Sequence, residues 1–341
     1  MKIKVILAAA AAFLVIIIGV GWGSVYIPPA DIFSVIGNKL FGTALPEHIK
    51  SSTAAILWSS RLCRVLLAFA AGAALSASGT VMQSVMRNPL ASSFTLGVSS
   101  GSSLGASIVI FYGASLPVAS GASLPVMGFV FGLGSIFLAL AVAGSLDGQI
   151  SNNTVILVGM VLSLFINAVT TLMSAISREN TQELLYWQLG SFQSRGWTPV
   201  YILVPVAVIG VLFITHYNRE LDIMTFGENQ AMSMGVNLKV IKRVLLVAAA
   251  ALTGASISFC GIVGFVDLVA PHIVRKIFGA SHRYVVPMSA IFGGAFMVIC
   301  DLAARTLPPV GELPVGAVTA IIGAPFFAFI YFGGKKKHAD A

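Results

Sequence analysis

Charge is what this chain has least of: aspartate, glutamate, lysine and arginine make up 9% of its 341 residues, where a soluble domain carries about 25%. With 57% hydrophobic residues beside so little charge, a soluble fold is the poorer account of the composition. Cysteine is nearly absent. Cys63, Cys260 and Cys300 stand far apart, which excludes a disulfide framework or a thiolate metal cluster and leaves them as packing residues. No Gly-x-x-x-x-Gly-Lys-Ser/Thr stretch occurs, so the chain lacks the backbone cradle and lysine that hold nucleotide phosphates, and any ATP must be handled by a partner. The glycine-rich pieces GVGWG (19–23) and GVSSGSSLG (97–105) lie in apolar runs with no strand before them, which argues against a dinucleotide site. The five histidines show no ligand spacing, and no hydrolase signature joins serine, histidine and aspartate. No catalysis, cofactor or metal is expected of this chain. Its net charge of +8 is scattered in short groups rather than gathered in a stripe, so nucleic acid is not an expected partner.

What the chain does have is a series of long uncharged runs. A hydrocarbon core of roughly 30 Å takes about 20 apolar residues per helix. Divided where glycine, proline or polar clusters end a helix, the runs predict about ten crossings. They lie near 5–26, 62–86, twice within 88–146 (parted by GASLPVASGASLP at 113–125), then 153–176, 199–217, 244–261, 262–278, 287–306 and 313–332. The first is read as a helix and not as a cleaved leader, because its uncharged run outlasts a signal core of about 7–15 residues. The expectation is an all-α membrane protein, a single transmembrane domain over 1–341. Segments 27–60 and 177–198 lie outside the lipid on one side, and 218–243, the most hydrophilic stretch, on the other. Trp187 and Trp197 suit an interfacial belt.

An even number of crossings puts both termini on one side. On this map that side carries 13 of the 20 lysines and arginines, among them Lys2, Lys4, Arg87, Arg219 and Lys335 to Lys337, so it is read as cytoplasmic. Gly97, Gly101 and Gly105 recur at the four-residue spacing that lets helices approach closely, and packing inside one subunit is preferred to a dimer seam. Asp301 and Arg305, four apart on one helix, are expected to pair locally. Asp267, the odd charge in an apolar run, is read as a helix-end or water-facing carboxylate. Segment 218–243 holds two short helical stretches separated near Gly227 and Gly235, and it displays Leu221, Ile223, Met224, Phe226, Met232 and Met234. A free loop has little reason to show such residues, which points to docking.

The run RLCRVLLAFAAGAALSASGTVMQSVMRNPLASSFTLGVSSGSSLGA (61–106) closely resembles the second and third helices of the binding-protein-dependent permeases for iron siderophores, haem and cobalamin. YWQLGSF (186–192), FGENQAMSMGV (226–236), ISFCGIVGFVDLVAPHIVRKIFGASHR (257–283) and DLAARTLPPVGELPVGAVTAIIGAPFF (301–327) continue the likeness in the family's order. The resemblance implies a type II ATP-binding-cassette importer in a bacterial inner membrane. Such an importer joins two permease subunits of ten helices each, here a homodimer, with two cytoplasmic cassette ATPases and an extracytoplasmic solute-binding protein.

The family's docking arginines carry over as Arg61, Arg64 and Arg305, which would receive acidic residues of the binding protein. The coupling helices that seat in the ATPase map onto Phe226, Gly227, Glu228, Met234, Gly235 and Val236. Cargo within the family is an iron chelate by preference, with haem or cobalamin as the alternatives. Cys63 replaces a proline frequent between the two arginines, and Asp267 replaces a usual glycine; Asp267 is given no role. An ion-coupled secondary carrier is the competing account, and an embedded enzyme lacks any convergent acid, base, nucleophile or metal cluster.

Overall fold

The computed structural model describes residues 1–23, 25–113, 122–147, 151–193, 195–308 and 311–339, with side chains for all of these except Arg178 and 330–339. The divider at 113–125 and the turn near 147–153 therefore fall partly outside the described residues, as do the side chains of Lys335, Lys336 and Lys337. Among the described residues the chain is helical and without strands.

The first helix, α1 (Lys2–Gly21), leads to α2 (Pro29–Phe41) and then α3 (Ser51–Ile56). A π-helical turn, Leu57–Leu62, joins α3 to α4 (Cys63–Val85) in one unbroken helix of 35 residues. Then come α5 (Val98–Tyr112), α6 (Ser123–Leu146), α7 (Asn152–Ile176), α8 (Thr181–Leu189), α9 (Thr198–His216), α10 (Asn218–Met224) and α11 (Glu228–Ser233). Four more close the chain: α12 (Leu238–Cys260), α13 (Val266–Phe278), α14 (His282–Thr306) and α15 (Val315–Ala339). Seven of the described helices are long and apolar enough to cross a membrane, and α5 and the 315–329 part of α15 are shorter apolar helices. With the 13-residue α13, every crossing expected from the sequence coincides with a helix.

The continuous α3–α4 rod differs from the expected loop up to residue 60. At 1.5 Å per residue its 35 residues reach about 52 Å, so roughly two-fifths of its length exceeds a bilayer core of about 30 Å. The sequence reading begins this crossing near residue 62, but no proline stands between Ser51 and Val85 to end the helix before it. Cys63, in place of proline, leaves the rod intact; its backbone N–H bonds Ser60 O and its thiol donates to Ser59 O at 3.0 Å.

In lipid, helices gain little from hiding apolar surface and associate through close packing and interhelical hydrogen bonds. α4 is the central post, buried nearly throughout from Cys63 to Val85. Its Ser78 joins Ser93 (2.6 Å), Thr253 of α12 (2.7 Å) and Ala249 O (2.8 Å) in a buried polar knot. Gly101 and Gly105 let α5 lie directly on α6: an added Cβ at Gly105 would sit 2.7 Å from the Met127 carbonyl carbon and 3.0 Å from Phe131 Cβ. Gly97, with φ +88°, forms the turn that starts α5. All three glycines thus act within this chain. Trp187 departs from the expected belt: α8 folds inward, and Trp187 packs with Ala106, Phe111, Leu184 and Ile257. Trp197 instead stacks between Trp58 (4.8 Å) and Tyr201 (5.7 Å).

The eighth crossing is short because residues 261–265 stay non-helical, with Phe265 held at φ +69°. Such backbone survives at membrane depth only inside protein. Here the two residues that flank it are tied to protein: Ser191 N–H donates to Cys260 O (2.8 Å), and Ser76 Oγ donates to Val266 O (3.3 Å).

Candidate functional site: two opposed faces of the bundle

At one end, α10 and α11 form a helical elbow between α9 and α12. Gly227 (φ +124°) and Gly235 (φ +85°) supply its two left-handed corners, which a side chain would strain. Val236 N–H closes the second corner onto Ala231 O at 3.0 Å. Leu221, Met224 and Ala231 are buried against the bundle, so part of the apolar content read as displayed is packing. Phe226 and Met234 remain outward at 65% and 63% exposure, with Met232 beside them. Together with Asn229, Gln230 and Ser233, Phe226 and Met234 line a shallow hollow.

One ion pair and one carboxylate–imidazole hydrogen bond anchor this elbow. Glu228 accepts from Lys242 Nζ at 2.7 Å, and the Lys242 side chain is only 1% exposed. Asp222 Oδ1 accepts from both the backbone N–H (2.8 Å) and Nδ1–H (2.6 Å) of His282, at the start of α14. The sequence reading had Lys242 in the hydrophilic connector. The structure puts it inside α12, which starts at Leu238 with Asn237 as its cap.

At the other end the three candidate arginines come together. Arg64 forks onto Asp301, with Nε–H and Nη2–H donating to Oδ1 at 2.9 and 2.8 Å and Nε–H to Oδ2 at 3.1 Å. It also donates from Nη1 to Glu312 at 2.9 Å. Arg61 Nη1–H reaches Gly21 O at 3.2 Å, and Arg305 Nη2–H donates to Gly19 O. The last turn of a helix has carbonyls without intrahelical partners and a negative dipole end, so two arginines there complete the C-terminus of α1. The expected Asp301–Arg305 contact exists but is loose, 3.6 Å, because Asp301 is fully buried facing Arg64. Arg61 and Arg64 are themselves buried, at 6% and 9% exposure. Three cations face two carboxylates, leaving the cluster with excess positive charge.

Between these ends Asp267 sits in the first turn of α13. It is 2% exposed, and neither carboxylate oxygen has a hydrogen-bond partner among the described residues. It thus stands at a helix end, one of the two expected positions, and does not face water. Among the described residues no group of three histidine, cysteine or acidic side chains is placed to hold a metal ion. The Arg64–Asp301 and Asp222–His282 pairs were not anticipated, since their members lie 237 and 60 residues apart in the chain.

The whole arrangement has close relatives. The chain is 38% identical over 315 residues to the uncharacterized ABC transporter permease protein YvrB of Bacillus subtilis, covering 92% of this chain and 89% of that protein. It is 36% identical over 290 residues to the cobalamin import system permease protein BtuC of Halobacterium salinarum, covering 85% and 77%. A solved structure described as an inward-facing conformation of a metal-chelate type ABC transporter superposes with a TM-score of 0.84 at 26% identity, covering 98% of this chain and 100% of that one. Residues 11–332 match the FecCD transport family, and to that family of ABC-importer transmembrane subunits this chain belongs.

Proposed function

We propose that this transmembrane subunit imports an iron-siderophore-type chelate, with haem or cobalamin as the other members of the same cargo class, handed over by an extracytoplasmic solute-binding protein. ATP binding and hydrolysis reside in a pair of cytoplasmic cassette subunits, and the chain itself catalyses nothing. Two copies of the permease enclose the pathway in a bacterial inner membrane, with both termini and the 218–237 elbow in the cytoplasm. The excess of lysine and arginine on the elbow's side of the bundle supports that orientation. A cobalamin permease and a metal-chelate transporter among the relatives support the cargo class.

The observation that carries the reading is the elbow itself. Phe226 and Met234 stand outward on a polar segment whose neighbours are packed, ion-paired through Glu228 and hydrogen-bonded through Asp222 to the bundle. A surface this ordered and this apolar fits a partner that seats on it, and rigid ties behind it suit a lever. Movement of the elbow would then switch the bundle between outward and inward openings by rigid-body shifts. The opposite end supplies net positive charge for an acidic partner, through Arg61, Arg64 and Arg305; all three side chains are buried and hydrogen-bonded within the chain, so the cluster acts by its excess charge.

Co-purification tests the reading. A cassette ATPase should come down with the wild-type permease and be lost from the Phe226→Asp, Met234→Asp double variant, whose exposed positions leave the fold intact. Retention of the ATPase by that variant would count against the elbow as its seat, and substrate uptake by the permease alone would favour a secondary carrier.

A further inference from the structure

Behind the elbow a continuous polar chain runs to the weakest turn of the bundle. Asp222 of α10 holds His282 of α14, as described above. His282 Nε2 lies 2.6 Å from Ser84 Oγ of α4, and Arg275 Nη2–H of α13 donates to that same oxygen at 3.2 Å. Arg275 Nη1–H donates to Gln83 Oε1, which turns the other end of that amide toward the start of α13. There Gln83 Nε2–H donates to Asp267 O at 3.3 Å and to Leu268 O at 3.4 Å.

The first of those carbonyls needs a donor. Pro271 has no N–H, so the carbonyl four residues back, that of Asp267, loses its helical partner. In lipid such a freed carbonyl must be satisfied by a neighbouring side chain. Gln83 does this, and Gly79 allows α4 to lie against the Asp267 backbone. The turn is weak on three counts: the proline, the left-handed Phe265 before it, and the unpartnered Asp267 carboxylate within it. His282, Gln83 and Ser84 are all buried, which shields the inner part of the relay, while Asp222 at its outer end is 36% exposed.

We infer that Asp222 is a positioning residue that passes movement of the elbow to the Pro271 turn of α13, through His282, Ser84, Arg275 and Gln83. The inference rests on the elbow being the ATPase seat. Four elements share this chain of bonds, so a shift of α10 changes the donors available to α13. A turn already lacking one helical bond is the place where the bundle yields. The Lys242–Glu228 link, by contrast, ends on the regular helix α12.

The test uses the full complex of permease and cassette ATPase, with a cysteine introduced in the weak turn by Leu268→Cys. The native Cys63, Cys260 and Cys300 are buried. Thiol-labelling rates are compared in nucleotide-free complex and in complex trapped with ADP and vanadate. The expected result is a rate difference with the native chain of bonds, lost in Asp222→Ala and equally in Gln83→Met, while both variants keep the ATPase and the trapped nucleotide. Gln83→Met breaks the link far from the elbow, so it decides the matter should Asp222→Ala fail to assemble. Asp222→Glu should restore part of the difference. A labelling difference that persists in Gln83→Met, or one absent from the unmodified chain of bonds, overturns the inference. A wild-type chain that retains no ATPase overturns the elbow reading first.

Discussion

Replacing Asp301 with asparagine should be the most damaging single change at the arginine cluster. The substitution keeps the shape of the side chain, removes its charge, and puts an amide N–H₂ where Arg64 and Arg305 also present donors. Asp301 accepts three hydrogen bonds from Arg64 at 2.8–3.1 Å and is fully buried, so water cannot replace it. Breaking one side of a buried ion pair costs about 3–5 kcal/mol. Glu312, at 2.9 Å from the same guanidinium, still neutralises part of the charge, which places the expected loss near the lower limit, about 3 kcal/mol. At 1.36 kcal/mol per tenfold, the folding equilibrium should fall by a factor of about 150. Glu312→Gln should cost only about 1 kcal/mol, since that side chain is 29% exposed and its pair is partly screened. The assay is unfolding in mixed detergent micelles, by denaturing-detergent titration or steric trapping, on the two variants side by side. Equal losses, or a larger loss for Glu312→Gln, would show that Asp301 is not the centre of the cluster. The paired change Arg64→Met with Asp301→Leu should recover part of the loss, because the Arg64 charge goes with its main partner while Arg305 and Glu312 each lose theirs.

Other outcomes follow from the same contacts. Gly105→Leu should destabilise by about 1–3 kcal/mol in the same unfolding assay, because α6 backbone occupies the space, whereas Gly134→Ala, with open space beside it, should change little. Glu228→Gln removes the carboxylate that accepts from the buried Lys242 ammonium and should cost about 1.5–3 kcal/mol in the same assay, the loss of one hydrogen bond to a charged group. Arg305→Gln, which keeps a donor for Gly19 O while removing a charge, should weaken stimulation of ATP hydrolysis by the binding protein and leave assembly intact. Undiminished stimulation would remove Arg305 from the docking surface. Arg64→Glu is a poor substitute for that test, since it would set three carboxylates together in one buried site.

The order and number of the crossings were legible in the sequence because lipid requires uncharged runs of bilayer length, and the glycines at 227 and 235 marked both corners of the elbow. The limits were physical. The second crossing was started near residue 62 and 27–60 set outside the lipid, but helix-terminal carbonyls of α1 and a distant aspartate satisfy Arg61 and Arg64, and α3 and α4 form one rod. Local spacing showed Asp301 beside Arg305 and hid Arg64, because helix periodicity says nothing about which helices become neighbours. Trp187 looked interfacial by residue type, yet α8 folds inward and buries it. The Asp222–His282 contact left no trace in the sequence, where each residue reads as part of a polar connector.

The account stands or falls on which side of the membrane the elbow faces. Met234 is exposed and the native thiols are buried, so a Met234→Cys variant offers one reactive site for a membrane-impermeant maleimide. The account predicts no labelling in intact spheroplasts, labelling once the membrane is opened, and protection when the cassette ATPase is bound. Labelling from outside intact spheroplasts would contradict it.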